Sequence, residues 1–362
     1  MKALVIGGTG PTGHYIVNGL IERGFTVTIL HTGRHEVDEI PAQVEHIHTN
    51  PFDEAQLAQA IKGRHWDLTI ATYGRLRRVA EVMKAHTQRF MSIGGGPAYR
   101  GYMNAPALWP TGMAVPTPED ALKTRNEEED GKGFRVLKSE EAVFALHPDA
   151  THFRYPYIYG KYQVAPREWP IVKRILDKRP HIIVPEDGLS LNHYGGAVNM
   201  AHAVLLAVDH EQVSRGQIYN CGDEKILTLR QVIEVCSQAL GHAWTIVSMP
   251  YHLAVAARPM MGQPWSTHRV FDLTKIKTEL GYRDVVDPVE GVAEAARWYA
   301  AHPVDQRGEQ ALQDPFDYTA EDQLVAAWES AVNHMPTDLF AVEPGFTGSY
   351  SGPGGSVRKA AW

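Results

Sequence analysis

With 362 residues, a formal net charge of −7 and a pI near 6.2, the chain is long enough for a large core and has no global basic field to hold nucleic acid by its phosphates. Two cysteines, Cys221 and Cys236, lack metal-ligand spacing, so neither a disulfide-stapled scaffold nor a metal site is expected. No apolar run approaches membrane-spanning length and the N-terminus opens directly on a strand pattern, which predicts a cytoplasmic protein without a membrane partner.

Ala3 to Ile6 form an apolar run suited to a buried parallel strand, and Gly7, Gly10 and Gly13 then punctuate a turn. From His14 the spacing becomes helical, through Tyr15, Ile16, Gly19 and Leu20, and Thr26 to Leu30 reads as a second strand. Strand, Gly-rich turn and helix predict a dinucleotide held by Gly7, Thr9, Gly10, Pro11, Thr12 and Gly13, with its pyrophosphate at the free N–H groups of the helix. The stretch "GGTGPTG" resembles the extended and atypical short-chain dehydrogenase/reductases, the NAD-dependent epimerase/dehydratase group. At the end of the second strand, where an acidic side chain grips the ribose of NAD, this chain reads His31-Thr32-Gly33-Arg34. A basic, hydroxyl-bearing loop suits a 2′-phosphate, so NADP is expected ahead of NAD, held by His31, Thr32 and Arg34. The alternative is a solvated turn.

A third strand over Val44 to His48 leads to Asn50-Pro51-Phe52-Asp53, which opens a helix faced by Leu57, Ala60 and Ile61. Trp66 to Ala71 is the fourth strand. The resemblance implies that Thr72-Tyr73-Gly74 wraps the cofactor and that Asn50 stands at the adenine contact. Val79, Val82 and Met83 mark another helix, and Arg89 to Ile93 a fifth strand. These repeated β-α steps predict an α/β protein with a Rossmann-type doubly wound parallel sheet and a smaller C-terminal substrate-binding part.

At the end of the fifth strand the chain reads "FMSIGGGPAYRGY", with Ser92 where the family has its catalytic hydroxyl, then three glycines. Pro97 to Gly133 is a long Pro/Gly-rich and then acidic loop, in which Glu127 to Asp130 reads as a solvated face. In "GFRVLKSEEAVFAL" the resemblance implies a Y-x-x-x-K helix: Lys138 takes the place of the ribose-holding lysine, and Phe134 stands where the proton-donating tyrosine belongs. Tyr99 matches the family's "vYG" tyrosine, and it or another pocket hydroxyl is expected to supply the proton instead. Tyr102 lies at the expected pocket mouth, and Tyr157 of "FRYPYIYGK" beside the nicotinamide.

After Gly160, His193 and Tyr194 are expected to face substrate, and Asn199 replaces an acid of the family's His-Val-x-Asp-x-Ala signature. The stretch Phe271 to Pro303 follows the family's C-terminal pattern. The expected parts are 1–160 for the dinucleotide, 161–303 for the substrate, interleaved with the sheet, and 304–362 as an extension with an amphipathic helix around Leu324, Val325 and Trp328.

The expected function is an NADP-dependent oxidoreductase passing a hydride to or from a small carbonyl or enone, with Lys138, Tyr99 and Ser92 as catalytic residues. The alternatives are a nucleotide-sugar epimerase or dehydratase, and a non-catalytic cofactor-binding sensor or RNA-associated protein, since the N-terminal half also resembles the plant chloroplast stem-loop-binding proteins. The acidic balance argues against nucleic acid. A small-molecule substrate is expected, and a homodimer is left open.

Overall fold

The computed structural model describes residues 1–72, 75–263, 265–336, 339–342 and 344. Runs such as Ala3-Leu4-Val5-Ile6 are apolar at every position, which a strand covered by helices on both faces requires. The first arm comprises β1 (Lys2–Ile6), α1 (Gly13–Glu22), β2 (Thr26–His31) and β3 (Glu45–His48). The chain then crosses back through α2 (Glu54–Ala60), β4 (Trp66–Ala71), α3 (Leu76–Met83) and β5 (Thr87–Gly95). A long irregular segment precedes α4 (Gly131–Leu146) and β6 (Thr151–Tyr155), after which come β7 (Tyr157–Tyr159), α5 (Trp169–Leu176), β8 (His181–Pro185) and β9 (Tyr194–Gly196). The remainder of this body holds α6 (Ala197–Asp209), α7 (Glu211–Ser214), β10 (Ile218–Asn220), α8 (Leu229–Ala239) and β11 (Thr245–Met249), then α9 (Arg258–Met261), α10 (Thr274–Leu280), α11 (Pro288–Ala301) and α12 (Gln306–Leu312).

Seven strands pair in parallel in the order β10-β6-β5-β4-β1-β2-β3. The chain runs outward from β1 to β3 and restarts on the other side of β1 at β4. Doubly wound sheets take their ligands in the crevice at the carboxyl ends of the strands beside such a switch. The expected Rossmann-type sheet is therefore what forms. Two parallel pairs, β7 with β9 and β8 with β11, belong to the smaller C-terminal elements. Asn199 anchors them. Its Nδ2 donates to Asp223 Oδ1 at 2.9 Å, while its Oδ1 accepts the N–H groups of Val285 and Val286. An amide can donate and accept at once, which a carboxylate in this place cannot.

The chain divides into two compact units, Met1–Pro315 and Phe316–Trp362. The second contains α13 (Tyr318–Asn333), capped by Asp317, whose Oδ1 accepts from the Ala320 N–H. The final aromatics of the sequence, Phe346, Tyr350 and Trp362, lie outside the described residues. Among the described residues no helix is long and apolar enough to cross a membrane.

The first glycine turn is sterically closed at one end and open at the other. A Cβ on Gly13 would lie 2.4 Å from the backbone carbon of Gly8, whereas a Cβ on Gly10 would meet nothing within 4 Å. Gly13→Ala is thus expected to cost about 1–3 kcal/mol in urea unfolding, and Gly10→Ala to stay within about 0.5 kcal/mol of the parent.

Candidate functional site

The site begins where β1 ends. Gly7 and Gly8 have φ values of 117° and 86°, which turn the chain sharply into α1. Thr12 precedes the helix without a side-chain capping bond, so no side chain claims the first N–H groups of α1. Thr9 and Thr12 are buried and Pro11 half-buried in this turn, while Gly10 leaves its surface bare. An anion at the helix terminus and a close backbone approach are what a pyrophosphate needs, and these residues fit one.

Past the ends of β4 and β5 lies an open cleft of about 1010 Å3. Thr72, Gly94, Gly95, Lys132, Val136 and Ser139 are among its walls. A cavity of about 190 Å3 shares Gly94, Gly95, Pro97 and Lys132 with it and reaches the C-terminal elements through Tyr157, Asn192, Arg167 and Arg269. Gly94 is obligatory, since its Cβ would lie 2.4 Å from His152 Nε2. The wall at β5 is therefore bare backbone. Of the other expected cofactor residues, Tyr73 and Gly74 lie outside the described residues.

The hydroxyls expected to do chemistry are sealed beneath that wall. Ser92 is fully buried with its Oγ 2.7 Å from His152 Nδ1, and Tyr99 is fully buried with its hydroxyl donating to Asn220 Oδ1 at 2.6 Å. Arg154 donates to the same Tyr99 hydroxyl and forms two bonds, of 2.6 and 2.8 Å, with Glu140. Burial pushes the Tyr99 phenol up to about 12. Burial also raises the Glu140 carboxyl, but its bonds to Arg154 more than reverse that and leave it below the usual carboxylate range. Ser92 and Tyr99 thus hold the core together and are not placed to reach a substrate, contrary to the sequence expectation.

The expected lysine is displaced as well. Lys138 is exposed, pairs with Glu141 at 2.7 Å and lies over the Phe134 ring, and it is not among the residues that line the cleft. Two four-residue spacings of α4 face the cleft, Lys132 to Val136 and Arg135 to Ser139, and of their first residues Lys132 also lines the adjoining cavity. Phe134 and Lys138 are two residues out of the Lys132-to-Val136 register. Although Lys132 is open to solvent, desolvation by its surroundings and then the charge of Arg167 lower its pKa, with Arg269 adding to the effect.

Lys132, Arg167 and Arg269 converge on the cavity, and among the described residues none of them pairs with a carboxylate. Arg269 is only 7% exposed. Its Nε donates to Asn192 Oδ1 at 3.0 Å and its guanidinium lies 4.7 Å from the Tyr102 ring centre. Arg167 sits over Tyr157 and donates to the Pro259 carbonyl. Lys132 and these arginines are residues that the sequence reading missed. The signal for the arginines was weak, because a lone arginine in a loop is ordinary until the fold removes its water.

Tyr102, His193 and Tyr194 all line the cavity. Both ring nitrogens of His193 are already engaged: Nδ1 accepts the Phe271 N–H at 3.0 Å and Nε2 meets the Asp223 carbonyl at 2.8 Å. His193 therefore shapes the wall and has no nitrogen left for substrate. At the end of β2, His31 is buried with its Nε2 3.2 Å from His46 Nδ1, so it is not presented as a phosphate ligand, and this also corrects the sequence expectation. Thr32 is half-buried and Arg34 exposed. The side chain of Asn50 accepts from the Phe52 N–H.

Burial lowers His152 and His193 from 6.5 to about 4. Their folded pKa lies below the unfolded one, so the unfolded chain takes up more protons between those values and their contribution to stability is lost as pH falls from about 6.5 to 4. Glu168 and Asp223, raised by burial to about 7, act in the opposite sense. The histidine effect is therefore read as a difference: in thermal unfolding the advantage of the parent over His193→Asn is expected to shrink between pH 6.5 and 4.5.

No protein-family model matches the chain. It is 22% identical over 308 residues to the chloroplast stem-loop binding protein of 41 kDa b of Arabidopsis thaliana, covering 81% of this chain and 78% of that protein. It is 24% identical over 319 residues to the UDP-glucose 4-epimerase of Corynebacterium glutamicum, covering 78% and 90% respectively. Among solved structures, the UDP-glucuronic acid 4-epimerase of Bacillus cereus in complex with UDP-glucuronic acid and NAD is similar with a TM-score of 0.64 at 15% identity, covering 83% of this chain and 100% of that one. The last two are UDP-sugar epimerases, which overturns the expectation of a small carbonyl or enone reductase. The chain is built on the fold of the extended short-chain dehydrogenase/reductases, the resemblance carried by its Gly7-to-Gly13 turn and its C-terminal pattern.

Proposed function

We propose that this chain binds an NAD-type dinucleotide along the carboxyl edge of the sheet and acts on a nucleotide-linked sugar, as an epimerase or dehydratase, with Lys132 moving the proton. The observation that carries this reading is Arg269, a buried guanidinium without a carboxylate partner among the described residues, at a cavity that Arg167 and Lys132 also line. An uncompensated buried charge is costly, and a diphosphate in the cavity offsets that cost while bonding the guanidinium forks. Arg167, Asn192, Tyr194 and Arg269 all come from 161–303, which accordingly serves as the substrate-binding part.

The dinucleotide, when bound, supplies an acceptor for the hydride that leaves a sugar carbon bearing a hydroxyl. Lys132 in its neutral form accepts that hydroxyl's proton, and its lowered pKa makes the neutral form more available than in an ordinary lysine. The ammonium so formed returns the proton when the carbonyl is reduced. Arg269 and Arg167 hold the diphosphate and so fix which sugar atoms reach Lys132. The dinucleotide is proposed to be NAD, because the epimerase neighbour contains NAD and His31 is turned away from the place of a 2′-phosphate. Arg34 is the residue that would favour NADP.

A second reading rests on the other wall of the cleft, where Arg75, Arg77, Arg78 and Arg135 gather, and on the stem-loop-binding relative. An affinity for stem-loop RNA that falls steeply with salt and is lost in Arg77→Glu supports it, and its absence removes it.

Calorimetry with NAD, NADP and UDP, followed by turnover on a panel of UDP-sugars, tests the main reading. Lys132→Met is expected to lower turnover by at least about a hundredfold with UDP affinity unchanged. Arg269→Met is expected to weaken UDP binding by about 2 kcal/mol, roughly thirtyfold in Kd. Full turnover by Lys132→Met would sink the proton-transfer assignment. Because Lys132 has a lowered pKa, kcat/KM is expected to rise with pH and to level off below the ordinary lysine range.

A further inference from the structure

Outside the cleft, at the ends of β2 and β3, four side chains converge that the proposed chemistry does not use. His31 ends β2, and the parallel register sets it directly opposite His48 on β3. His46 and His48 are two residues apart on that strand, so both point to one face of the sheet. Glu36 comes from the intervening loop. His31 Nε2 lies 3.2 Å from His46 Nδ1, and His46 Nδ1 lies 3.3 Å from Glu36 Oε2. The other Glu36 oxygen is 3.1 Å from His48 Nε2 and 3.6 Å from His31 Nε2. All four donor atoms fall within 4.8 Å of one another.

We propose that His31, His46, His48 and Glu36 form a binding site for one divalent transition-metal ion, best matched by Zn2+. Ligands held 2.0–2.1 Å from a tetrahedral ion lie roughly 3.3 Å from one another, which is the spacing of the closest atoms here. Three imidazoles and one carboxylate are a borderline donor set that suits zinc and disfavours calcium or magnesium, which take oxygen ligands. Three neutral imidazoles and one carboxylate sum to a single negative charge, which a divalent ion reverses. The His31 ring is 2% exposed and turns Nε2 toward the other three donors. Ligation through Nε2 takes the tautomer with the proton on Nδ1, so the 3.3 Å contact from the Gly33 N–H to Nδ1 gives way when an ion binds. Half-exposed Glu36 and His48 form the open side through which an ion enters. The expectation of no metal rested on cysteine spacing, and this donor set contains no cysteine.

The test uses the full-length chain without an affinity tag, stripped with a chelator and dialysed against ZnCl2, with zinc measured by elemental analysis. One zinc per chain is expected. Co2+ in its place is expected to show the visible ligand-field bands of a four-coordinate centre. His46→Ala/His48→Ala is expected to weaken zinc binding by more than about a hundredfold, and Glu36→Gln to change the cobalt spectrum, while His35→Ala, next to the set and outside it, leaves both unchanged. Circular dichroism establishes that each variant is folded, and Glu36→Gln alters a half-exposed side chain that leaves the fold intact. Binding below one equivalent at saturating zinc, equal zinc affinity in the folded double variant, or a six-coordinate cobalt spectrum unchanged by Glu36→Gln overturns the proposal.

Discussion

The layout of the site depends on the ion pair between Arg154 and Glu140. Their two short bonds close in the interior, where less than a tenth of either side chain is exposed, and losing either partner of such a pair costs about 3–5 kcal/mol. Glu140 on α4 cannot turn outward, so the rotation of the whole helix is fixed. Val136 and Lys132, four and eight residues earlier, then share the side that meets the cleft. Tyr99 and Asn220 extend the same network and tie the segment after β5 to the end of β10. The constraint that places Lys132 is also the one that consumes the Tyr99 hydroxyl.

The treatment of buried cations separates scaffold from site. Arg154 has Glu140, and Arg174 has Asp314 at 2.7 Å, each pair nearly sealed from solvent. Arg269 is buried to a similar degree but faces an aromatic ring and an amide oxygen in place of a carboxylate. Cation–π contact and one neutral acceptor satisfy geometry and leave charge unbalanced. That imbalance lies at the cavity, where an incoming anion restores neutrality. The bare backbone of Gly94 and Gly95 completes the arrangement, because it lets a flat ligand lie close to the sheet without meeting a side chain.

Patterns carried by neighbouring residues were legible in the sequence. The Gly7-to-Gly13 turn, the apolar runs of the parallel strands and the Asp53 cap are local signals, and the fold follows from their order. The register of α4 was not legible, because Phe134-x-x-x-Lys138 and Lys132-x-x-x-Val136 have the same spacing and only the partner of Glu140 on another strand chooses between them. Tyr99 read as a pocket residue because its acceptor, Asn220, is 121 positions away. His31 read as a phosphate ligand because nothing near it in sequence announces that β3 aligns His48 opposite. In each case the missing information is a long-range pairing, which residue type and period do not encode.

The central claim is that the unpaired cations of the cavity are a diphosphate site. A crystal structure of the chain grown with NAD and a UDP-sugar measures this directly. The account predicts diphosphate oxygens within hydrogen-bond distance of the Arg269 and Arg167 guanidiniums, with a sugar hydroxyl facing Lys132 Nζ. A nucleotide sugar bound elsewhere, with Arg269 still in contact only with Asn192 and Tyr102, would contradict it.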